Sequence, residues 1–531
     1  MGTIAMYAGN RSVALVVGIA CGLFLTGCAQ RNLERSGYVS LVFEIENQGA
    51  ANDPKLAETM VKNLRQRVDP QGIYGLAWSV QGRDRIEVRM PLPPKDAVAR
   101  SEAYAKAMNG LFDQELERGK VEESLRLEGA ARSNAIQALA RRSADEALAN
   151  LQELETARAL PSDQQNQAMA KLAERIGDAA AADLKALKPE DVQARRAAIE
   201  ANVSKRGALL AEAASRYDAM IAAQSRGPVE TSEEASRDAA ELFEDAVDAV
   251  LATNLDRRSF QQIIDLDEES WARINSLKDI RKSHPDLDDL IADVLAKHAT
   301  YQSGRRFLEG PADLKRLLRG AGKLEFRILA SPDPENATKY DRYRRQLKEG
   351  RDIVPGDSEG WFKIDNPMQF FNLDSPAQLQ TYDYRGSGYF VVEKRDDDYF
   401  VLAKTSPADG LLQDEKTPRQ WKVVQARVDQ DEHKRWCVAF TLDEAGGQMF
   451  SVLTRNNKSK PLCILVDDVA YSAPNIMSEI RTNGQITGAF SKDKVQYMAN
   501  TLEAGVLPAR LKETPISERT VLPGASASEK Q

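Results

Sequence analysis

The sequence predicts an α+β fold in which a long helical block interrupts a mixed domain of strands and helices. Two observations carry this. Strand-type alternation of β-branched and aromatic residues opens from Tyr38 and returns from Leu324, with amphipathic helices between the strands. From Lys95 to Glu309 the chain is instead rich in Ala, Glu, Arg and Leu and poor in Gly, a composition that favours helix nearly throughout. At 531 residues the chain is long enough for more than one core.

The first region spans 38–93. Val39-Ser40-Leu41-Val42-Phe43-Glu44-Ile45 reads as its opening strand. Asn52-Asp53-Pro54 then starts a helix with Leu56, Met60, Val61, Leu64 and Val68 at helical spacing, stopped by Pro70 and Gly72. Arg85–Met90 alternates as a second strand.

The helical region, 95–309, is punctuated at Pro161, Pro189, Gly227-Pro228, Pro285 and Gly310-Pro311. Stripes such as Leu210, Ala213, Tyr217 and Ile221, or Phe243, Val247, Val250 and Leu251, are thin and Ala-rich. They predict a coiled-coil-like arm of long antiparallel helices with narrow seams. Such a segment serves as a partner-binding arm or as a spacer, and the pattern favours neither.

The third region, 311–522, returns to mixed structure. Strands are predicted at Leu324–Leu329, Gly388–Glu393, Tyr399–Ala403, Trp436–Leu442, Leu462–Val466 and Gln485–Ala489, with helices at Asp443–Thr454 and Lys492–Ala504. Asp396-Asp397-Asp398, Asp467-Asp468 and Asn483-Gly484 predict hairpin loops. The small, polar tail at 523–531 predicts disorder.

The N-terminus carries an address. Arg11 precedes an apolar run from Val13 to Leu25, and the chain turns polar after Leu25-Thr26-Gly27-Cys28. The run is shorter than the ~20 residues that usually cross a bilayer as a helix. Residues 1–28 therefore read as a secretory signal, and Leu-Thr-Gly-Cys is similar to the lipobox of bacterial lipoproteins. That similarity implies cleavage before Cys28 and lipidation of its thiol; an uncleaved signal anchor with Cys28 incidental is the alternative. Either way the body is expected in the periplasm of the cell envelope, held to the membrane by its N-terminus.

The chemistry-bearing residues are sparse. A net charge of −8 disfavours a nucleic-acid binder, whose affinity for phosphates needs clustered Lys and Arg. His284, His298 and His433 lie in polar contexts without a partner pattern and read as solvated surface residues. Gly320-Ala321-Gly322-Lys323 has the end of a phosphate loop but lacks its first Gly and its Ser or Thr. Asp396–Asp398 and Asp467-Asp468 lack the spacing of a calcium loop and read as solvated turns. Cys437 and Cys463 both fall on predicted strands, as a disulfide or as two separate thiols. The expectation is a protein with no catalytic residues, no metal and no cofactor.

The third region carries an ordered series of motifs. Tyr399-Phe400-Val401-Leu402-Ala403-Lys404-Thr405 is followed by Phe440-Thr441-Leu442-Asp443-Glu444-Ala445-Gly446 and by Ser472-Ala473-Pro474. Then come Gly484-Gln485-Ile486-Thr487-Gly488 and Leu502-Glu503-Ala504-Gly505-Val506-Leu507-Pro508. In order and spacing these resemble the periplasmic domain of SecD, a subunit of the bacterial Sec protein-export machinery. Leu64-Arg65-Gln66-Arg67-Val68-Asp69, Asp84–Val88 and Leu324-Glu325-Phe326-Arg327 resemble the same domain. Asp443, Gly446, Pro474, Gly484, Gly488, Gly505 and Pro508 are the motif residues, read as folding devices: Asp443 as a helix cap, Gly484 and Gly488 around a short strand, Gly505 and Pro508 as a helix stop.

The resemblance implies a ferredoxin-like base, built from the first region and about 436–515, with a smaller head at about 331–430. It also implies work in protein translocation: contact with unfolded polypeptide at the outer face of the membrane, alongside the Sec translocon or a SecF-like membrane subunit. Two departures qualify it. A helical block stands where the family has a short link, and the membrane helices that follow in the family are absent before Gln531. The expectation is an accessory without its own proton-coupled motor. The alternative is an envelope lipoprotein scaffold that reuses the fold and binds a partner through its helical arm.

Overall fold

Seven residues of alternating character, Tyr38–Glu44, form the first strand (β1) in the computed structural model, with Val39, Leu41 and Phe43 turned to one side. The structure describes residues 33–46, 55–225, 230–332 except 267 and 269, 337–373, 378–379, 383, 390–413 except 397, and 421–523 except 489. The signal segment with Cys28, and the tail from Gly524, lie outside the described residues. The chain divides into two compact units: Lys95–Arg305, and the segments that flank it.

In the flanking unit, helix α1 (Leu56–Val68) lays Met60, Leu64 and Val68 on a four-stranded antiparallel sheet. The sheet holds β1, β2 (Ala77–Gln81), β3 (Arg85–Pro91) and a strand from the far end of the chain, Ser517–Val521, in the order last-β1-β3-β2. On its other face Glu87 is buried and accepts hydrogen bonds from Ser40 at 2.7 Å, Ser79 at 2.9 Å and Arg89 at 2.8 Å. Burial pushes this carboxyl up, but the donors outweigh it and hold it below the usual range.

The insert folds as eleven helices among its described residues. They are α2 (Lys95–Phe112), α3 (Arg118–Arg126), α4 (Gly129–Arg141), α5 (Ala144–Ala159), α6 (Ser162–Ile176) and α7 (Asp178–Ala186). Then come α8 (Pro189–Gln224), α9 (Glu230–Leu251), α10 (Arg257–Ile264), α11 (Trp271–Ser283) and α12 (Asp288–Ser303). The longest are α8, at 36 residues, and α9, at 22, which pack together; with the shorter helices, which double back at short breaks, they enclose two apolar clusters. One gathers Val121, Leu125, Leu210, Phe243 and Val247; the other gathers Leu151, Leu154, Leu172, Leu184 and Ile199. The thin stripes close into a compact helical body because several of them converge on each cluster. The first and last helices also pack together, and Arg100 donates to the Gly304 carbonyl at 3.2 Å.

After α13 (Pro311–Leu318) the flanking unit continues with β4 (Leu324–Ile328), α14 (Ala337–Lys348), β5 (Glu359–Ile364), α15 (Pro367–Phe370), β6 (Val392–Arg395), β7 (Asp398–Lys404) and β8 (Gly410–Leu411). It ends with β9 (Val423–Gln430), β10 (Trp436–Leu442), α16 (Glu444–Asn456), β11 (Leu462–Val466), β12 (Val469–Ser472), β13 (Asn483–Ile486), α17 (Lys492–Ala504) and the Ser517–Val521 strand, β14. A seven-stranded sheet runs β6-β7-β5-β12-β11-β4-β8, and a three-stranded sheet runs β13-β10-β9. Phe326 joins their cores, with ring centroids 4.6 Å from Phe450 and 5.6 Å from Phe440.

This pairing departs from the expected base and head. β5, β6 and β7, from the range expected as the head, share one sheet with β4, β11 and β12, because β12 adds parallel to β5 at Val469 and Ala470. The first region keeps its own sheet, closed by β14. Asn483-Gly484 is not a hairpin turn either: both residues lie in β13, opposite Thr441 and Phe440. The glycine is there for close approach, since a Cβ on Gly484 would overlap the Phe440 ring.

Cys437 on β10 and Cys463 on β11 are separate buried free thiols on different sheets. His298 is not a surface residue. It is 3% exposed, with its ring centroid 5.3 Å from that of Tyr104 and Nε2 at 3.3 Å from Asp265 Oδ1. His284 is partly buried, which lowers its pKa; His433 is exposed in the β9–β10 turn.

Candidate functional site

The motif residues point to two places in the flanking unit. The first is a joint built on the loop at 319–323. Gly320 and Gly322 adopt φ of +78° and +77°, which turns the intervening N–H groups to one side. The N–H groups of Ala321, Gly322 and Lys323 all donate to Asp467 Oδ1, at 2.8, 2.8 and 3.1 Å. The loop thus cradles an anion, and that anion is the protein's own carboxylate. Asp467 was expected as a solvated turn residue; it is instead the ligand of this nest.

Asp467 can reach the nest because it and Asp468 occupy the β11–β12 turn with φ of +52° and +65°. Aspartate tolerates this region better than most residues. Asp468 pairs with Arg510 at 3.0 Å. In the corresponding β6–β7 turn Asp396 has φ +54°, and residue 397 lies outside the described residues.

The carbonyls of the same loop are satisfied from elsewhere. Arg67, fully buried in α1, donates to Gly320 O at 3.0 Å and Ala321 O at 2.9 Å. It also reaches Gly505 O at 3.5 Å. The Leu507 N–H donates to Ala321 O at 2.8 Å, and the Tyr497 hydroxyl to Arg319 O at 3.1 Å. Burial lowers the Arg67 pKa, while the charge of Asp467 opposes that. A Cβ on Gly322 would sit 2.5 Å from Arg67 Nη2, and one on Gly320 would overlap Asp467. Four distant stretches of chain are fastened here by backbone groups with few alternative partners.

The second place is the outer face of the three-stranded sheet. Val438, Phe440 and Leu442 turn inward to the core, so Ala439 and Thr441 face out. The small Ala439 leaves a concavity of about 440 Å³ whose lining includes Gln425, Arg427, Thr441, Asn483 and Gln485. Register explains the set: Ala439 stands opposite Arg427 and Gln485, and Thr441 opposite Gln425 and Asn483. Three side-chain amides on one face offer donors and acceptors in pairs, the pattern that a peptide backbone also presents.

The other motif residues are spread around these two places. Asp443 caps α16, its Oδ1 accepting from the Gly446 N–H at 2.8 Å. A Cβ on Gly446 would lie 3.2 Å from both Leu442 and Trp421. Gly484 borders the concavity. Gly505, with φ +78°, follows α17 and offers its carbonyl to the joint. Pro508 is half-buried just beyond it. Pro474 accepts from the Leu462 N–H at 2.9 Å, and Gly488 packs against Gln369 and Phe490. Arg67 and Asp467 were missed as site residues; the signal was the Gly-Ala-Gly pattern, which marks a nest whatever anion fills it.

Among the described residues no group of three His, Cys, Asp or Glu could hold a metal ion. No helix among them is long and apolar enough to cross a membrane.

Comparison with known proteins agrees with the motif series. Residues 402–509 match the family described as SecDF, P1 head subdomain. This stretch overlaps both the range expected as head and the range expected as base. The protein translocase subunit SecD of Elusimicrobium minutum is 42% identical over 86 residues, 16% of this chain and 18% of that protein. SecD of Rickettsia conorii is 36% identical over 220 residues, 41% of this chain and 33% of the relative. The chain thus spans only part of the length of the curated relatives it matches. A solved structure described as a membrane component SecDF that enhances protein export aligns at 22% identity and TM-score 0.23, over 40% of this chain and 75% of that one.

Proposed function

We propose, from the SecD-like domain that this chain carries, that the protein is an accessory of protein translocation that contacts emerging polypeptide at the outer face of the membrane. The observation that supports this best is the amide-lined concavity of Gln425, Asn483 and Gln485, set within the 402–509 match. Translocating chains differ in side chains but share a backbone, which a face of side-chain amides can read. The short strand β13 and strand β9, each bonded on one side only among the described residues, would add strand-edge contacts. The Arg67–Asp467 joint ties the β11–β12 turn and the end of α17 to the loop at 319–323.

In this reading the body lies in the cell envelope, anchored through Cys28 or its signal segment. The work is binding rather than catalysis, carried out alongside a SecF-like or translocon subunit. Depletion tests it. Unprocessed secretory precursors should accumulate within a generation, and affinity purification should recover translocon subunits. Normal export kinetics with no translocon subunit recovered would overturn the proposal.

A second reading, an envelope scaffold that uses the SecD-like fold to present its helical unit to a partner, is favoured by one observation. Lys95–Arg305 has its own two apolar clusters and lies wholly outside the matched stretch. Deleting it should leave export untouched in the first reading's simplest form and abolish partner recovery in the second.

A further inference from the structure

Among the described residues each of the three sheets ends in two edge strands, and five of the six are short or carry charge. β14 presents Glu518 and Arg519, β6 presents Glu393, Lys394 and Arg395, and β9 presents Arg427 and Asp429 beside a shift in register. β8 is two residues long, and β13 is four residues with a glycine among them. Short length, charge and bulges limit how far an edge pairs with another chain. The sixth edge has none of these devices. β2 is Ala77-Trp78-Ser79-Val80-Gln81, five residues without a charge or a proline in a chain that is 29% charged. Its register with β3 is unbroken.

The phase of the hydrogen bonds decides which backbone groups this edge offers. The Ile45 N–H donates to Asp84 O at 2.7 Å, and from there bonded pairs alternate along β1 and β3. Ile86, Val88 and Met90 therefore turn their peptide groups to β1, while Arg85, Glu87 and Arg89 turn theirs to β2, where they meet Gln81, Ser79 and Ala77. The N–H and C=O groups of Trp78 and Val80 are left pointing away from the sheet. Both faces of β2 hold it in this attitude. On one, Ser79 and Gln81 donate to the buried Glu87 carboxylate at 2.9 and 3.2 Å. On the other, Trp78 packs against the apolar cluster of α1, β1 and β3, and Val80 stays 38% exposed. An edge fixed before binding loses little freedom when it pairs.

Outward backbone donors and acceptors are complemented by another extended chain, and the area on offer says which kind. A stable pair of copies engages roughly 20–30 residues a side, and β2 supplies five. A single extended segment needs only the row itself. A row without charge also admits acidic and basic segments alike.

We infer that the edge of β2 is a strand-addition site for an extended segment of unfolded polypeptide, which exchanges hydrogen bonds with Trp78 and Val80 and sets an apolar side chain beside Val80. The site is separate from the amide-lined face, since it belongs to another sheet and lies outside residues 402–509. It rests on the translocation reading only for the natural source of the segment. Four backbone hydrogen bonds make a weak, reversible contact, with Kd on the order of 100 μM.

Single-residue hydrogen exchange on the full-length chain in detergent tests it, with reduced and carboxymethylated lactalbumin as the unfolded probe. Probe at about five times that Kd should slow the Trp78 and Val80 amides about sixfold. The Ala77, Ser79 and Gln81 amides, already bonded to β3, should not change, and native lactalbumin should slow none of them. Val80→Pro removes one outward N–H and spares the ladder to β3, so the slowing at Trp78 should drop to about twofold or less. Val80→Lys keeps the N–H but adds a charge to the edge, and should also bring the slowing to about twofold. Bound probe that leaves both amides unslowed, slowing that grows with protein concentration and needs no probe, or full slowing in Val80→Lys would overturn the inference. Export on depletion is measured separately from this exchange, so a failure of the translocation reading and a failure of the edge site are told apart.

Discussion

Replacing Asp467 by Ala removes the acceptor of three backbone N–H groups and leaves them with no protein partner. Hydrogen bonds to a charged acceptor contribute about 1.5–3 kcal/mol each where buried. This nest is only partly buried and water can replace some of the loss, so about 3 kcal/mol for the set is the working figure. Asp467 also sits at φ +52°, where Ala costs roughly 1 kcal/mol more. The expected loss for Asp467→Ala is about 4 kcal/mol of local stability. Asp467→Asn keeps an oxygen and tolerates the backbone but gives up the charge, so about 1.5 kcal/mol is expected.

A chain of two units does not unfold in one step, so global denaturation is the wrong assay. Hydrogen exchange at the Ala321, Gly322 and Lys323 amides reads the joint directly. At tenfold per 1.4 kcal/mol, protection there should fall about 1,000-fold in Asp467→Ala and about tenfold in Asp467→Asn. The Glu87 side of the four-stranded sheet should not change. Equal protection in wild type and Asp467→Ala, or an Asn variant as damaged as the Ala variant, would refute the nest.

Other consequences follow from the same geometry. Burial, helped by the charge of Asp256, raises the Glu115 carboxyl to about 7 in the helical unit. A carboxyl raised on folding contributes stability that is complete below its unfolded value of about 4.5 and is lost as pH rises through about 7. The unit's melting temperature should therefore fall between pH 5 and pH 8, and Glu115→Gln should flatten that fall; an identical slope in the variant contradicts it. Gly484→Ala drives a methyl into the Phe440 ring and should cost about 1–3 kcal/mol, seen as lost exchange protection in β10 and β13. Asp443→Ala removes the α16 cap and should cost about 1 kcal/mol, confined to exchange in the first turn of that helix.

The strands and helices that the sequence exposes most clearly are those whose own pattern decides them. β10, β11 and α17 have the bounds that alternation and helical period predict, because each buries a continuous apolar face. β14 was invisible: Ser-Glu-Arg-Thr-Val has no apolar face of its own and is a strand only because β1 offers an edge to it. β9 mixes Gln, Arg and Asp with valines, since one of its faces is the polar concavity. The four-stranded and seven-stranded sheets rest on pairings between residues over a hundred positions apart, such as Leu41 with Glu518 and Lys363 with Val469, which no local pattern carries.

The joint shows the same limit at the level of single residues. Arg67 sits in an amphipathic helix where a basic residue near the C-terminus is ordinary, and Asp467 sits in a turn where an acid is ordinary. What makes each of them a fastener is the loop at 319–323, far from both in sequence. His298, expected at the surface, is buried because Tyr104 from α2, far away in sequence, covers it. In the helical unit composition revealed helix but not packing, since Ala-rich stripes fit a narrow seam and a convergent cluster equally well.

The amide-lined face of β13, β10 and β9 should meet translocating polypeptide. Site-specific photo-crosslinking in living cells tests it most directly, with a photoreactive residue at Gln485 and, as control, at Lys458 in the exposed turn after α16. With a secretory precursor stalled in transit, position 485 should give a crosslinked species carrying that precursor, and position 458 should not. No precursor adduct from 485, or equal adducts from both positions, would rule out polypeptide contact at this face.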